Sequence, residues 1–183
     1  MAIYFTSDLH LGHDKEFLYQ PRGFSSIEEH DHAIVDNWNS IVAEEDEVYL
    51  LGDVMLNDKE RGIEFLKQLK GKIHIIRGNH DTNSKVELYK ECPNIVEICE
   101  AKTIKIKKQY FFLCHYPCYT TNFDDTDIYT HLINLYGHTH QKDNFFNDNP
   151  YMYHVGLDSH NNFPVSIEEI FQDIRNKKRN LIN

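Results

Sequence analysis

The most constraining feature of this sequence is a pattern met five times: a short apolar or β-branched run breaks off into residues able to hold a metal ion. Residues 3–6 lead into Asp8-Leu9-His10, 48–51 into Gly52-Asp53, and 73–76 into Gly78-Asn79-His80-Asp81. Residues 110–113 lead to His115, and 132–136 to Gly137-His138-Thr139-His140. Runs of this length and composition are predicted strands. In an open α/β sheet, ligands gather beyond the carboxyl ends of the strands, so loops far apart in sequence meet in one crevice.

Three more strands are predicted at 95–99, 103–106 and 152–155, with helical periodicity between the runs. One helix opens at Ser26, with Glu29 placed for a capping box and Ile27, Ile34, Trp38, Ile41 and Val42 on its core face. A second is expected over 59–70, with Phe65, Leu66 and Leu69 inward and Gly71 ending it. A third opens at Ser166 with Glu169 completing a capping box, and the basic stretch 175–179 suits its carboxyl end. The alternation of strand and helix predicts an α/β fold. No repeat or linker divides the 183 residues, so a single domain over 1–183 is expected.

Nineteen Lys plus Arg against 29 Asp plus Glu give a net charge of −10, the wrong sign for gripping an extended nucleic acid. A local cluster of cations could still draw one phosphate, because nearby charges set the field in a cleft. No basic, apolar leader pattern precedes the first strand and no apolar run is long enough for a bilayer, so neither secretion nor membrane insertion is expected. Cys92, Cys99, Cys114 and Cys118 lack C-x-x-C spacing and are expected as reduced, buried thiols of a cytoplasmic protein. Nothing in the sequence sets an oligomeric state.

Imidazole, carboxylate and amide donors without thiolate suit manganese, iron, zinc or nickel better than copper(I) or an iron–sulfur cluster. One ion would leave several donors idle, whereas an Asp carboxylate can bridge two ions about 3.5 to 4 Å apart, a separation suited to displacement at phosphorus. If the chain is extended, Asp8 and His10 face one side together, as do His138 and His140. Gly52, Gly78 and Gly137 would let the backbone turn sharply beside an ion.

The ordered set D-L-H, G-D, G-N-H-D, H and G-H-T-H resembles the calcineurin-like metallophosphoesterase superfamily, in its small single-domain bacterial or phage-type branch. Val155-Gly156-Leu157-Asp158 is similar to the closing segment of that family. The resemblance implies a two-sheet β-sandwich flanked by helices, a four-layer α/β/β/α architecture, and metal-dependent hydrolysis of phosphate esters. It implies one ion held by Asp8, His10, Asp53 and His140, and a second held by Asp53, Asn79, His115 and His138, with Asp53 as the bridge. Manganese is the expected metal, with iron, zinc or nickel as alternatives. His80 would contact the substrate phosphate or protonate the leaving oxygen.

The expected substrate is a small phosphate ester, with a lean toward a diester or nucleotide-like molecule; a phosphomonoesterase or protein phosphatase would share the same core. A non-catalytic interaction scaffold of this fold is the alternative of another class, disfavoured because His80 and every expected ligand type are retained. A zinc amide hydrolase would call for a signature such as H-E-x-x-H, which is absent.

Other positions carry two readings each. Asp81, grouped with His80 as a candidate catalytic residue, either orients that histidine or ties down its loop. Arg77 touches phosphate or, the favoured reading, pairs with an acidic residue behind the site; His13 reaches the rim of the site or faces solvent. His30, His32, His74, His131 and His160 read as packing or surface histidines. Cys114 and Cys118 flank His115 as spectators rather than a redox pair, and His154 departs from the Asn of the similar branch. Rim loops are expected over 116–131 and 142–153, where Tyr119, Phe123, Tyr129, Phe145 and Phe146 could stack on a base or simply pack.

Overall fold

The computed structural model describes residues 1–120 and 132–182; Phe123, Tyr129 and His131 lie outside the described residues. Four parallel strands, β1 (Ile3–Thr6), β2 (Glu47–Leu50), β3 (Lys72–Ile76) and β4 (Ile95–Cys99), build the first sheet. Its order is β4-β3-β2-β1-β9, with β9 (Val165–Ser166) antiparallel to β1. The second sheet has the order β5-β6-β7-β8. Here β5 (Lys102–Ile106) and β6 (Gln109–Leu113) form an antiparallel hairpin, onto which β7 (Ile133–Tyr136) and β8 (Met152–His154) add in parallel. The two mixed sheets flanked by helices are those the family resemblance implies.

Side-chain alternation divides the core. Val48, Leu50, Ile73 and Ile75 face the helices α2 (Ile27–Ile41), α3 (Lys59–Leu66) and α4 (Asn83–Lys90), packing with Ile34, Trp38, Leu66 and Tyr89. Phe5, Leu51 and Ile76 face the other way and meet Phe111, Leu113, Ile133, Leu135, Tyr153 and Val155 of the second sheet. Ile170 and Ile174 of α5 (Ile167–Ile182) complete that cluster. Each such side chain contributes about 1.5–3 kcal/mol on burial, so the sheets are fixed where they need to be.

The register explains why the loops converge. Thr6 lies opposite Leu50 and Leu50 opposite Ile75, while Leu113 lies opposite Leu135 and Tyr136 opposite His154. Strands that end level deliver their following residues to one edge. A parallel bridge between Ser7 and Gly156 then ties the first sheet to the second at that edge.

Several sequence expectations need adjustment. In α2 the Ser26 hydroxyl accepts from the Glu29 amide as expected, but the Glu29 carboxylate turns to the amide and hydroxyl of Ser25, so the box is displaced by one residue. Val35 replaces Ile41 on the buried face, because Ile41 lies on the last turn and is exposed. The Ser166–Glu169 box forms in full. The second long helix ends at Leu66, four residues early; the Trp38 indole caps the Lys70 carbonyl, and Gly71 turns the chain at φ 91°. Only Cys92 of the four free thiols is buried; the others are half-buried. Unforeseen were the short α1 (Glu16–Tyr19), α4 and the two-residue β9, none of which carries a strong period.

Candidate metal centre

The convergence is tighter than extended-chain alternation would give, and it arises differently. Asp8, His10, Asp53, His138 and His140 all have left-handed backbone conformations, with φ between 49° and 68°. Such conformations are unfavourable for residues other than glycine and cluster at functional sites, where the surrounding structure enforces them. Each kink re-aims one donor, so Asp8 and His10, like His138 and His140, do not meet through strand periodicity. The amides of Asp8 and His10 donate to the carbonyls of Gly52 and Asp53 at 3.0 Å each, which locks the first two loops side by side. Gly78 and Gly137 have ordinary φ values and serve close approach: a Cβ at Gly78 would overlap the Asp53 carboxylate, and one at Gly137 would overlap Ser7 Oγ and Asp8 Oδ2.

Tautomers follow from the backbone and carboxylate partners. His115 Nδ1 lies 2.7 Å from the Leu51 carbonyl, which can only accept, so Nδ1 carries the proton. In the neutral ring the lone pair of Nε2 then faces Asn79 Oδ1 at 2.9 Å and Asp53 Oδ2 at 3.5 Å. His140 repeats the arrangement: Nδ1 donates to Asp158 Oδ2 at 2.9 Å, and Nε2 faces His10 Nε2 at 3.2 Å and Asp8 Oδ1 at 3.8 Å. Among the described residues Asp8 Oδ1 and His10 Nδ1 are buried without hydrogen-bond partners, whereas Asp8 Oδ2 accepts from Ser7 Oγ and the His138 amide. Donor groups of Asp8, His10 and His140, and of Asp8, Asp53 and His115, each gather within 4.8 Å. At His115 the Nε2 lone pair meets the Asn79 carbonyl oxygen with no proton between them, an arrangement that fits a cation. The remaining ring, His138, stands 5.1 Å from His115 centroid to centroid.

Electrostatics agree. Burial lifts Asp53 above the usual carboxylate range; His115 opposes the shift and the adjacent Asp8 carboxylate adds to it. Burial pushes His10 well below the usual histidine value, with Arg22 the next contributor. For His140 burial acts downward, but the hydrogen bond to Asp158 and the Asp8 charge outweigh it and raise the value. His138 is lowered, by burial first and His115 second. Two buried carboxylates beside His10 and His138, whose charged forms burial disfavours, form a site that a positive charge would stabilise.

The other expected residues divide. His80 lines the cavity over the centre, its Nε2 3.9 Å from Asp53 Oδ2 and its amide donating to Asp53 Oδ1. Asp81 makes no bond to the His80 ring. Its buried carboxylate accepts from the amides of Asp53, Val54 and Gly78 and from the Tyr89 hydroxyl, so it ties two loops together. Arg77 points behind the site, to Glu100, Asn83 and the Asp81 carbonyl. His13 is buried, lines the same cavity, and its Nδ1 has no hydrogen-bond partner among the described residues. His30 is satisfied by Asp31 and Arg22, His74 by Glu47 and Glu97, and His160 by the His154 carbonyl, while His32 is exposed beside Phe65. Burial lowers His154 to about 4, and its Nδ1 bonds Ser159. Cys114 and Cys118 lie with sulfurs 3.9 Å apart. Phe145 packs on Tyr153 and Phe146 on Tyr136, so both serve packing, while Tyr119 is exposed.

Sequence reasoning missed Arg22 and Asp158. The buried Arg22 guanidinium donates twice to Asp158 and also to the carbonyls of Asp8 and Leu9. Burial opposes ionisation of Asp158, but hydrogen bonds from His140 and Arg22 hold its carboxyl far below the usual range. The segment ending in Asp158 was noticed without a role for its carboxylate; no motif marks Arg22.

Residues 1–156 match the model of the calcineurin-like phosphoesterase superfamily domain. An uncharacterized protein of Methanocaldococcus jannaschii is 32% identical over 182 residues, covering 96% of this chain and 93% of that protein. A protein of unknown function from Aquifex aeolicus shares the fold at a TM-score of 0.70 and 23% identity, covering 93% of this chain and 98% of its own. An archaeal phosphodiesterase shares it at 0.50 and 20%, covering 85% and 84%. The family implies divalent metal ions, for which the facing donors provide a fitting cradle. The chain belongs to the calcineurin-like phosphoesterase superfamily and is a hydrolase acting on phosphate esters.

Proposed function

We propose that this protein hydrolyses small phosphate esters at a dinuclear metal centre. The observation that carries this reading is the position of Asp53 Oδ2, 3.5 Å from His115 Nε2 of its own donor group and 3.8 Å from His10 Nε2 of the other. A carboxylate so placed suits a bridge. One ion would take Asp8, His10, Asp53 and His140, and the other Asp53, Asn79, His115 and His138. Manganese is the expected metal for such donors. Bound divalent ions supply activation of water and neutralisation of phosphoryl charge. Asp8 and Asp53 return only part of the charge of two such ions, so the loaded centre stays cationic within an acidic protein and draws the phosphoryl group.

The protein's own residues do the rest. His80 Nε2 donates a proton to the departing ester oxygen; its backbone is pinned by its own amide on Asp53 and by Lys85 on its carbonyl. Asp81 holds the loop that presents His80. Asp158, backed by Arg22, fixes the His140 ring so that Nε2 faces inward. A small diester or nucleotide-like ester fits the cavity over the centre better than an extended polyanion fits the acidic surface.

His80→Ala tests the assignment. Metal content stays at the wild-type level, and turnover of an ester with a poor alkoxide leaving group falls by about 10² to 10⁴. Turnover of a nitrophenyl ester falls much less, because nitrophenolate departs without a proton. Equal losses for both esters, or no loss, contradict the proton-donor role.

A further inference from the structure

Beside the paired histidines His10 and His140 opens a cavity of about 490 Å³, of a size suited to a small ligand. His80, Asp158 and the two site histidines line one part of it. The rest is lined by His13, Phe17, Leu18, Pro21 and Leu56, with Lys142 as the cation among its lining residues. Phe17 is 73% exposed; every other phenylalanine among the described residues is buried or half-buried. The three rings form a path from the centre outward: His10 to His13 is 5.5 Å between centroids, and His13 to Phe17 is 5.7 Å at 84°.

We propose that this cavity takes the organic group of the ester as a flat aromatic ring, aryl or nucleobase, with Phe17 as the surface on which it stacks. The inference rests on the phosphoesterase reading of the adjacent centre and adds the substrate class. A ring linked through one ester bond to phosphorus held at the histidines reaches Phe17 along that path. Phe17 offers it a free π-face, and the edge-on His13 ring closes one side. Buried His13 Nδ1, without a hydrogen-bond partner among the described residues, is placed to bond a polar atom of the ester or of the ring. Of the aromatic positions marked in the sequence as rim candidates, Tyr119, Phe145 and Phe146 do not line this cavity; among the described residues its phenyl wall comes from the four-residue helix α1.

The test is calorimetric titration of the manganese-reconstituted protein with inorganic phosphate, methylphosphonate, cyclohexylphosphonate and phenylphosphonate. Phenylphosphonate is expected to bind about tenfold more tightly than methylphosphonate, the scale of one aromatic stacking contact. It is also expected to bind more tightly than the cyclohexyl compound. Phe17→Ala brings the phenyl-to-methyl ratio close to one, and Phe17→Trp keeps it. A ratio near one in the wild-type protein, an unchanged ratio in Phe17→Ala, or cyclohexyl binding equal to phenyl overturns the aromatic pocket while leaving phosphate recognition standing. Failure of phosphate and all three phosphonates to bind removes the phosphoesterase reading and this inference together.

Discussion

Asp53→Asn is expected to lower turnover by on the order of 10³, because the same carboxylate would serve both ions and its loss weakens charge stabilisation throughout the reaction. The substitution preserves shape: an amide oxygen can still accept from the His80 amide, and the Asp53 backbone remains bonded to Asp81. It removes one of two buried like charges, so the metal-free variant should melt no lower than metal-free wild type. What should shrink is the rise in melting temperature on adding manganese, since that rise measures binding to the folded state. Steady-state kinetics and paired melting curves with and without metal check this. Wild-type turnover together with an undiminished metal-induced rise would contradict the bridging role.

Arg22→Met is expected to cost about 3–5 kcal/mol of stability, because it leaves Asp158 buried with its charge uncompensated. For a chain of this size that corresponds to a fall in melting temperature of roughly 10 °C. Arg22 presents Nε and Nη2 to the two oxygens of Asp158 at 3.1 and 2.9 Å while also bonding the Asp8 carbonyl at 2.8 Å. Lysine cannot reproduce that fork, so Arg22→Lys should recover only a minor part of the loss. Chemical denaturation of the metal-free proteins measures it. A cost below about 1 kcal/mol, typical of exposed pairs, would show that the Arg22–Asp158 pair is not holding the edge of the site together.

Much of the fold was legible because each long strand and helix announces itself locally. Residues 48–51 and 73–76 alternate or run apolar in short β-branched stretches, and Ser26 and Ser166 stand where helices need caps. The elements that escaped are those held by tertiary contacts. Strand β9 pairs with β1 through two residues. Helix α4 is anchored by Tyr89 bonding Asp81 and by Lys85 bonding the carbonyls of Met55 and His80, partners no local period reveals.

The same division runs through the site. Asp8, His10, Asp53, Asn79, His115, His138 and His140 could be named because they stand directly after strands whose ends the hydrophobic pattern locates. The way they converge was not legible, since it depends on left-handed conformations at Asp8, His10, Asp53, His138 and His140 and on loop-to-loop hydrogen bonds such as those from the Asp8 and His10 amides to Gly52 and Asp53. Arg22 and Asp158 lie 136 positions apart, and neither stands in a motif that points to the other. Asp81 illustrates a subtler limit: its place beside His80 in sequence suggests partnership, yet its carboxylate turns away to bind the Asp53 and Gly78 amides. Neighbouring residues on a tight turn point in different directions, so adjacency in a motif says little about contact.

The proposed site is a cage for two divalent ions. Its most direct measurement is elemental quantitation of the protein after manganese reconstitution and removal of excess metal, with anomalous scattering from crystals of the same material. Two equivalents per chain are expected, with peaks on either side of Asp53 Oδ2. Less than one equivalent, or a single peak elsewhere, would contradict it.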